Sequence, residues 1–129
     1  MIYLTSEQLL FIHSRLIAET GGSHGVRDLA RLESAVARPQ AVFNRKELYP
    51  DVFLKAAALL DSLVNNHPFL GGNKRTGIAA VALFLHANGR QLTASTSELE
   101  EFTLEAVTSH PDLIILADWL HRQSQDRGK

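Results

Sequence analysis

The side chains that could do chemistry are concentrated in one segment, residues 67–76, which reads HPFLGGNKRT. A helix that begins inside this segment would expose unpaired backbone N–H groups and a partial positive charge, which together attract anions. Glycines let an anion approach such amides closely, and asparagine, lysine and arginine add donors and charge for phosphate oxygens. Residues of these types follow one another directly: Gly71, Gly72, Asn73, Lys74 and Arg75. The segment therefore predicts a phosphate-binding site at a helix start.

His67 stands at the other end of the same segment. An imidazole titrates near neutral pH, so beside a bound phosphate it can act as general base for a hydroxyl nucleophile, a contribution of typically about 10²–10⁴-fold. A purely structural interpretation also exists, in which the glycines and Asn73 make only a turn and a helix cap. Two cations in a first helical turn oppose the helix dipole, however, and such a local conflict favours a functional site.

Two predicted helices flank this segment. One is amphipathic, is capped by Asp51 and runs to Asn66; the other runs from Lys74 to about Ala87. The second contains the run IAAVALFL, which is apolar on every side, so we expect it to be the most buried helix. The predicted fold class is all-α, a compact bundle of about six helices around a buried central helix.

Cap and stop signals place the other four helices. We expect them over residues 5–20, 28–38 and 97–108, and from 111 onward. The first and third begin at capping boxes, Thr5 with Gln8 and Ser97 with Glu100, and the last has Pro111 in its first turn.

The remaining segments and the length complete the predicted organisation. Residues 39–50 have neither a helical nor a strand period, which indicates an ordered loop or at most a small β-hairpin. Residues 124–129 are polar and predict a frayed tail. With 129 residues and 14.3 kDa, residues 1–129 are expected to form a single domain.

Composition excludes several classes of function. Hydrophobic residues make up 45% and charged residues 21%, as in soluble globular proteins, and a net charge of −1 gives no overall basic field for nucleic acid or membrane. The absence of cysteine excludes disulfides, thiolate zinc sites and cysteine nucleophiles. The start lacks a signal-peptide pattern, and the longest apolar run, 78–85, is too short to span a membrane, so a cytoplasmic protein is expected.

The segment HPFLGGNKRT resembles the signature loop of the Fic/Doc family, which reads His-Pro-Phe-any-acidic-Gly-Asn, then Gly or Lys, then Arg. Eight of its nine positions agree when Lys74 is counted as the Doc variant. The stretch from Gly21 to Gln40, GGSHGVRDLARLESAVARPQ, is similar to the segment that Doc-type proteins carry upstream. Lys74 followed by Arg75 and Thr76 is similar to the Doc (death-on-curing) branch, the toxins of toxin–antitoxin pairs.

This resemblance implies the Fic/Doc helical fold and an enzyme that transfers part of ATP, with magnesium, to a protein hydroxyl. Typical Fic members attach AMP, whereas Doc members are kinases that phosphorylate a threonine of elongation factor Tu and so stop translation. Lys74 replaces the glycine of typical AMP-transferring members, and Ile78 replaces their second arginine, so the resemblance favours the kinase. The implied partners are elongation factor Tu and a cognate antitoxin.

The resemblance also implies roles for individual residues. His67 would be the general base on the target threonine, Phe69 a core anchor of the loop, and Pro39 to Tyr49 the flap that aligns the target peptide. The implied phosphate cradle consists of Gly72, Asn73, Lys74 and Arg75.

One position departs from the family pattern. Gly71 occupies the place of the acidic residue that ligates magnesium, and a glycine offers at most its backbone carbonyl to this hard cation. Loss of the metal anchor would lower the rate by roughly 10²–10⁴-fold. We therefore expect no metal ligand at this position and an attenuated form of the enzyme on an intact fold.

Other functions are weighed against this one. AMP transfer is the alternative within enzymes, and a non-catalytic module that binds nucleotide or antitoxin is the alternative outside them. A DNA-binding helix pair is a distant third, because no helix shows a reading face of basic and amide residues.

Three further groups of residues have ordinary structural explanations. The other five histidines show no metal-ligand spacing and are expected to be surface or partly buried residues: His13, His24, His86, His110 and His121. The acidic stretch 98–105 is expected to be a solvated helix face, with antitoxin docking as the alternative. Arg27, Arg31 and Arg38 form either a local basic patch or ion pairs with Asp28 and Glu33.

Overall fold

The computed structural model describes residues 1–128, and within them six α-helices form the fold. The helices are α1 (Ser6–Thr20), α2 (Leu29–Ala37), α3 (Val52–Asn65), α4 (Asn73–Ala87), α5 (Thr96–Thr108) and α6 (Leu113–Arg122). The strands are β1 (Val42–Phe43), β2 (Lys46–Glu47), β3 (Arg90–Leu92) and β4 (Ser124–Asp126), and a 3₁₀ turn spans Arg38–Gln40. The predicted all-α class and the predicted number of helices are confirmed.

Side-chain caps start the first three helices where the sequence predicts them. Thr5 and Gln8 form a capping box at α1, in which each side chain accepts a hydrogen bond from the other residue's backbone N–H. Asp28 caps α2, and the Asp51 carboxylate accepts from the second and third amides of α3.

Two predicted helix starts are wrong. Helix α5 begins at a capping box of Ser95 and Glu98, two residues before the predicted pair. Helix α6 begins after Asp112, so Pro111 precedes the helix instead of lying in its first turn.

Helix α3, and not α4, is the central helix, which corrects the prediction from the apolar run. Nine of the 14 residues of α3 are buried, against seven of the 15 in α4, where Leu83 is exposed on the outer side. Helix α3 packs against α2, α4, α5 and α6, so it is the element around which the others assemble. The core cluster is mainly leucine, alanine, valine and phenylalanine from these helices.

Gly77 allows α4 to approach α3 closely. A Cβ atom at this position would lie 2.9 Å from Cγ1 of Val64 and 3.1 Å from Cδ1 of Leu60, shorter than real side-chain contacts. The absence of a side chain therefore fixes the crossing of the two helices that lead into and out of the segment 67–76.

Residues 39–50 contain the small hairpin that the sequence allows. Strands β1 and β2 are antiparallel, with Val42 opposite Glu47 and Phe43 opposite Lys46. Asn44 and Arg45 both have positive φ values, 52° and 64°, as a two-residue hairpin turn of this kind requires.

The predicted frayed tail is wrong for residues 124–126. They form β4, which pairs antiparallel with β3 and sets Arg90 opposite Asp126. The pairing partner lies more than 30 residues away in the chain, so local polarity gives no sign of it. Lys129, the last residue of the predicted tail, lies outside the described residues. Across the described chain, no helix is both long and apolar enough to cross a membrane.

Candidate functional site

A groove of about 540 Å³ opens beside the start of α4, between the end of α3 and one side of α5. Five of the residues predicted for the site line it: His67, Gly72, Asn73, Lys74 and Arg75. Phe69, the predicted anchor, is buried beneath the loop, and Gly71 lies outside the lining. The structure thus brings the predicted base and the predicted phosphate-binding residues to one cavity.

Gly72 forms the start of α4. It is the N-cap residue, and its φ of +74° lies in the left-handed region that favours glycine. An added Cβ would also lie 3.0 Å from Cδ1 of Ile17, a tight contact that would require this side chain to shift, so glycine suits the position mainly through its conformation. No side chain caps this helix, which leaves its first amides facing the groove as unpaired donors.

Asn73 braces the loop instead of capping the helix. Its side-chain oxygen accepts a hydrogen bond from the Phe69 amide at 3.0 Å, and its side-chain nitrogen donates to the Phe69 carbonyl at 3.1 Å. The side chain is buried and both of its polar atoms are engaged within the protein. Asn73 therefore shapes the loop over the groove, and its amide is not free to bind phosphate in this conformation.

Phe69 is packed in the core beneath the loop. Its side chain is 1% exposed and stacks on the ring of His13, with ring centroids 3.9 Å apart and planes inclined by 5°. Nε2 of His13 donates a hydrogen bond to the Gly71 carbonyl oxygen at 2.7 Å. The expectation of a surface or partly buried His13 is wrong, because this residue is buried under the loop. Its spacing of four from Leu9 and Ile17, both buried on the same face of α1, is the signal that could have located it.

The connection between α1 and α2 holds the outer side of the loop. The amides of Arg27 and Asp28 both donate to the Pro68 carbonyl, at 2.8 and 3.1 Å, and the Leu70 amide donates to the Gly25 carbonyl at 3.2 Å. These backbone bonds join two segments about 40 residues apart in sequence. The loop is therefore held on one side by His13 of α1 and on another by the connection between α1 and α2.

The two cations at the start of α4 have different surroundings. The Arg75 guanidinium donates to the Thr20 hydroxyl and, at 3.5 Å, to the Gly21 carbonyl, so it is tied to the end of α1. Lys74 is exposed and makes no ion pair or side-chain hydrogen bond with any residue in 1–128. Lys74 is thus the cation that is available to an anion in the groove.

The opposite wall of the groove comes from α5, which the sequence did not place at the site. Thr103 is buried there, and Glu100 and Leu104 are exposed at the rim. Ile78, one turn into α4, closes the floor. No local motif marks these residues, because α5 reaches the groove only through packing against α3 and α4.

The acidic stretch on α5 is in part a solvated face and in part a wall of the groove. Hydrogen bonds with the backbone amide and with the side chain of Ser95, its capping-box partner, lower the pKa of the exposed Glu98. Glu100 supplies the one carboxylate among the described groove residues. The predicted solvated face is thus confirmed for these exposed glutamates, and one of them, Glu100, also borders the groove.

The residues at position 71 and around it do not fit a magnesium ion. Gly71 has no side-chain oxygen, and its carbonyl already accepts the hydrogen bond from His13. Among the described residues, no three histidine, aspartate or glutamate side chains are grouped closely enough to hold a metal. The Glu100 carboxylate stands alone on the opposite wall.

The arginines of the predicted basic patch are engaged locally. Arg31 pairs with Asp28 at 3.3 Å, as predicted, whereas no described ion pair involves Glu33. Arg38 binds Asp61 at 2.8 Å and Tyr49 at 3.0 Å; burial lowers its pKa, but these hydrogen bonds outweigh burial and the net pKa is raised. Arg38 therefore fixes the end of the hairpin segment to α3.

The fold and the groove define an all-helical domain in which a glycine-rich loop leads into an uncapped helix start. Residues 3–85 match the Fic/DOC family. The chain is 46% identical over 99 residues to toxin Doc of Mycolicibacterium smegmatis, covering 75% of this chain and 76% of that protein. It is 34% identical over 122 residues to protein kinase doc of Escherichia phage P1, covering 95% of each. The chain belongs to the Fic/Doc family.

Proposed function

We propose that this chain is a Doc-like toxin that transfers the γ-phosphoryl group of ATP to a threonine of elongation factor Tu and so blocks translation. Family membership and two relatives, one named a toxin and one a protein kinase, support this proposal. The observation that carries it is the groove in which His67 faces the same cavity as Lys74 and the uncapped start of α4.

The proposed reaction uses the chain's own groups in separate roles. The His67 imidazole accepts the proton of the threonine hydroxyl as its oxygen attacks the γ-phosphorus, the bond to the β-phosphate oxygen breaks, and ADP leaves. Lys74 and the first amides of α4 bind the phosphate oxygens and stabilise their charge. Positioning and electrostatics are the main requirements of phosphoryl transfer, and the braced loop supplies both.

Phosphoryl transfer is proposed over AMP transfer because of two groove residues. Lys74 adds a cation where the resemblance places glycine in AMP-transferring members, and Ile78 contributes an apolar side chain where they have an arginine. These two residues would alter how the groove holds a triphosphate. Adenylyl mass on the target would identify the alternative reaction.

Gly71 favours one further candidate, a module that binds nucleotide or antitoxin without catalysis. The site lacks a carboxylate at the family's metal position, and its backbone carbonyl is already bonded to His13. ATP binding that is independent of magnesium, with no modified product, is the outcome that this candidate requires. In either case a cognate antitoxin is the proposed partner of the chain.

The test is intact-mass spectrometry of elongation factor Tu after incubation with magnesium, ATP and three forms of the protein: natural, Gly71→Asp, and Gly71→Asp with His67→Ala. Phosphoryl mass added by the Gly71→Asp form and lost with His67→Ala is the expected result. If none of the three forms modifies the factor, the kinase assignment for this target is wrong.

A further inference from the structure

Arg27 binds three consecutive carbonyl oxygens at the point where α3 ends and the loop begins. Its Nη2 donates to the Asn66 carbonyl at 3.0 Å, its Nε to the His67 carbonyl at 2.8 Å, and its backbone amide to the Pro68 carbonyl at 2.8 Å. No other described residue donates to the His67 carbonyl. Arg27 is therefore the contact that sets the backbone direction of the proposed base.

His67 needs such a contact because its backbone is in an unfavourable conformation. Its φ of +48° lies in the left-handed region, where the Cβ atom crowds the following carbonyl. The residue itself is exposed, so no surrounding core forces this conformation. Pro68 follows it, and a residue before proline is biased towards extended backbone. An external hydrogen bond at the His67 carbonyl opposes that bias.

The arginine side chain suits this position in shape and in charge. Its planar fork reaches two neighbouring carbonyls at once, which the single ammonium group of lysine does not reproduce. The carbonyls at the end of a helix carry partial negative charge, so a cation there is favourable. Of these three carbonyls Arg31 binds one, that of Asn66 at 2.8 Å, and leaves the His67 carbonyl to Arg27.

We propose that Arg27 is a positioning residue that holds the His67 backbone in its left-handed conformation and so directs the imidazole into the groove. The catalytic consequence rests on the proposed function; the conformational consequence does not. The two consequences are therefore tested by separate measurements.

The first measurement is NMR of the natural chain and of Arg27→Ala, Arg27→Lys and Arg31→Ala variants. The Cα and Cβ chemical shifts of His67 report whether its backbone is left-handed or extended. Arg27→Ala is expected to move these shifts towards extended values, Arg27→Lys to move them in part, and Arg31→Ala to leave them in place. A fold that is retained elsewhere is shown by unchanged methyl signals of the core.

The second measurement is the kinetics of phosphoryl transfer in the Gly71→Asp background. Arg27→Ala is expected to lower kcat by about 10²-fold, the effect of a misplacement of about 1 Å, with little change in the KM for ATP. Because Arg27 is exposed, added guanidinium ion at concentrations below those that unfold the protein is expected to restore part of kcat. A role in overall stability alone would not produce that rescue.

The outcomes separate the two proposals. Unchanged His67 shifts in Arg27→Ala overturn the positioning role, whatever the activity. Moved shifts with an unchanged kcat also overturn it. If no form of the protein, the Gly71→Asp parent included, modifies elongation factor Tu, the proposed function fails, and the NMR result alone decides the role of Arg27.

Discussion

The imidazole of His13 touches the loop at two places, the Gly71 carbonyl oxygen at 2.7 Å from Nε2 and the ring of Phe69 at 3.9 Å between centroids. A carbonyl oxygen only accepts hydrogen bonds, so Nε2 carries the proton. One buried side chain thus holds both the anchor of the loop and the residue before the N-cap of α4. The position of the α4 amides depends on a residue more than 50 positions earlier in the chain.

His13→Phe separates these two contacts. Phenylalanine keeps an aromatic ring against Phe69 but leaves the Gly71 carbonyl without its donor, a loss of about 1–2 kcal/mol in the free energy of unfolding. We expect ATP to bind more weakly as well, because the amides that follow Gly71 lose their fixed direction. Urea unfolding and nucleotide titration measure the two effects. His13→Gln, which keeps a donor but loses the ring, is the matched variant. Unchanged ATP affinity in His13→Phe would contradict the link to the site.

Substitution by aspartate is expected to affect stability little at Gly71 and strongly at Gly72. At Gly71, whose φ lies outside the left-handed region, a Cβ would meet Ser23 at 3.7 Å or more, so the free energy of unfolding should change by about 0.5 kcal/mol or less. At Gly72 the φ of +74° and the contact with Ile17 at 3.0 Å should cost about 1–3 kcal/mol. Thermal unfolding of both variants makes the comparison.

The gain of function belongs to Gly71→Asp alone. A carboxylate at this position is expected to make ATP binding depend on magnesium and to raise phosphoryl transfer by roughly 10²–10⁴-fold. Titration of ATP with and without magnesium provides the measurement. Equal affinities under both conditions would show that residue 71 does not limit the metal.

The site was predictable from sequence where its residues are adjacent, and not where packing assembles them. The candidate residues of segment 67–76 follow one another in sequence, so the helix start and the candidate base His67 could be named directly. The wall formed by Glu100 and Thr103 could not, because α5 reaches the groove through helix packing. The contact of Arg27 with the His67 carbonyl could not be predicted either, because the two residues are 40 positions apart in sequence.

The fold shows the same division. Two overlapping pairs, Ser95 with Glu98 and Ser97 with Glu100, both satisfy the local pattern of a capping box. The structure forms the first pair, and the local pattern alone does not distinguish it from the second. The sequence likewise allows Asn73 either to cap the helix or to donate its amide to a ligand. Its hydrogen bonds with the Phe69 backbone could not be predicted, because they form only in the folded loop.

Lys55 is expected to give the protein an alkaline limit of stability. Its side chain is 1% exposed and donates to Glu47 at 2.8 Å and to the Pro39 carbonyl at 3.0 Å, so it fixes the hairpin to α3. Burial lowers its pKa, but hydrogen bonding with Glu47 and Tyr3 outweighs burial and the net pKa is raised.

A raised pKa means that the folded state holds the proton more tightly than the unfolded chain. This contribution to stability is complete below the ordinary lysine pKa of 10.5 and is lost as the pH rises through the folded-state value. Natural protein should therefore lose stability in strongly alkaline solution more steeply than Lys55→Met. Urea unfolding from neutral to alkaline pH measures the slopes, with the exposed hairpin residue Lys46→Met as control. Parallel slopes for natural protein and Lys55→Met would exclude the effect.

Lys74→Glu is expected to make the protein more stable and unable to bind its anion. The natural lysine is exposed in the first turn of α4, where a cation opposes the helix dipole, and no described residue pairs with it. Glutamate there would complement the dipole, a gain of about 0.3–1 kcal/mol in the free energy of unfolding. The same change places a negative charge in the groove beside His67, so phosphate oxygens would be repelled.

Thermal unfolding with and without ATP measures both effects of this substitution. ATP should raise the Tm of the natural chain, because a ligand that binds only the folded state stabilises it, and should leave the Tm of Lys74→Glu unchanged. Lys74→Gln, which removes the charge without reversing it, should fall between the two in stability and in ATP response. A Lys74→Glu protein that is less stable than the natural chain would mean that Lys74 has a structural partner. Higher stability together with lost ATP binding is the result expected if Lys74 serves to bind an anion. The reason is that a cation in the first turn of α4 lowers the stability of the helix.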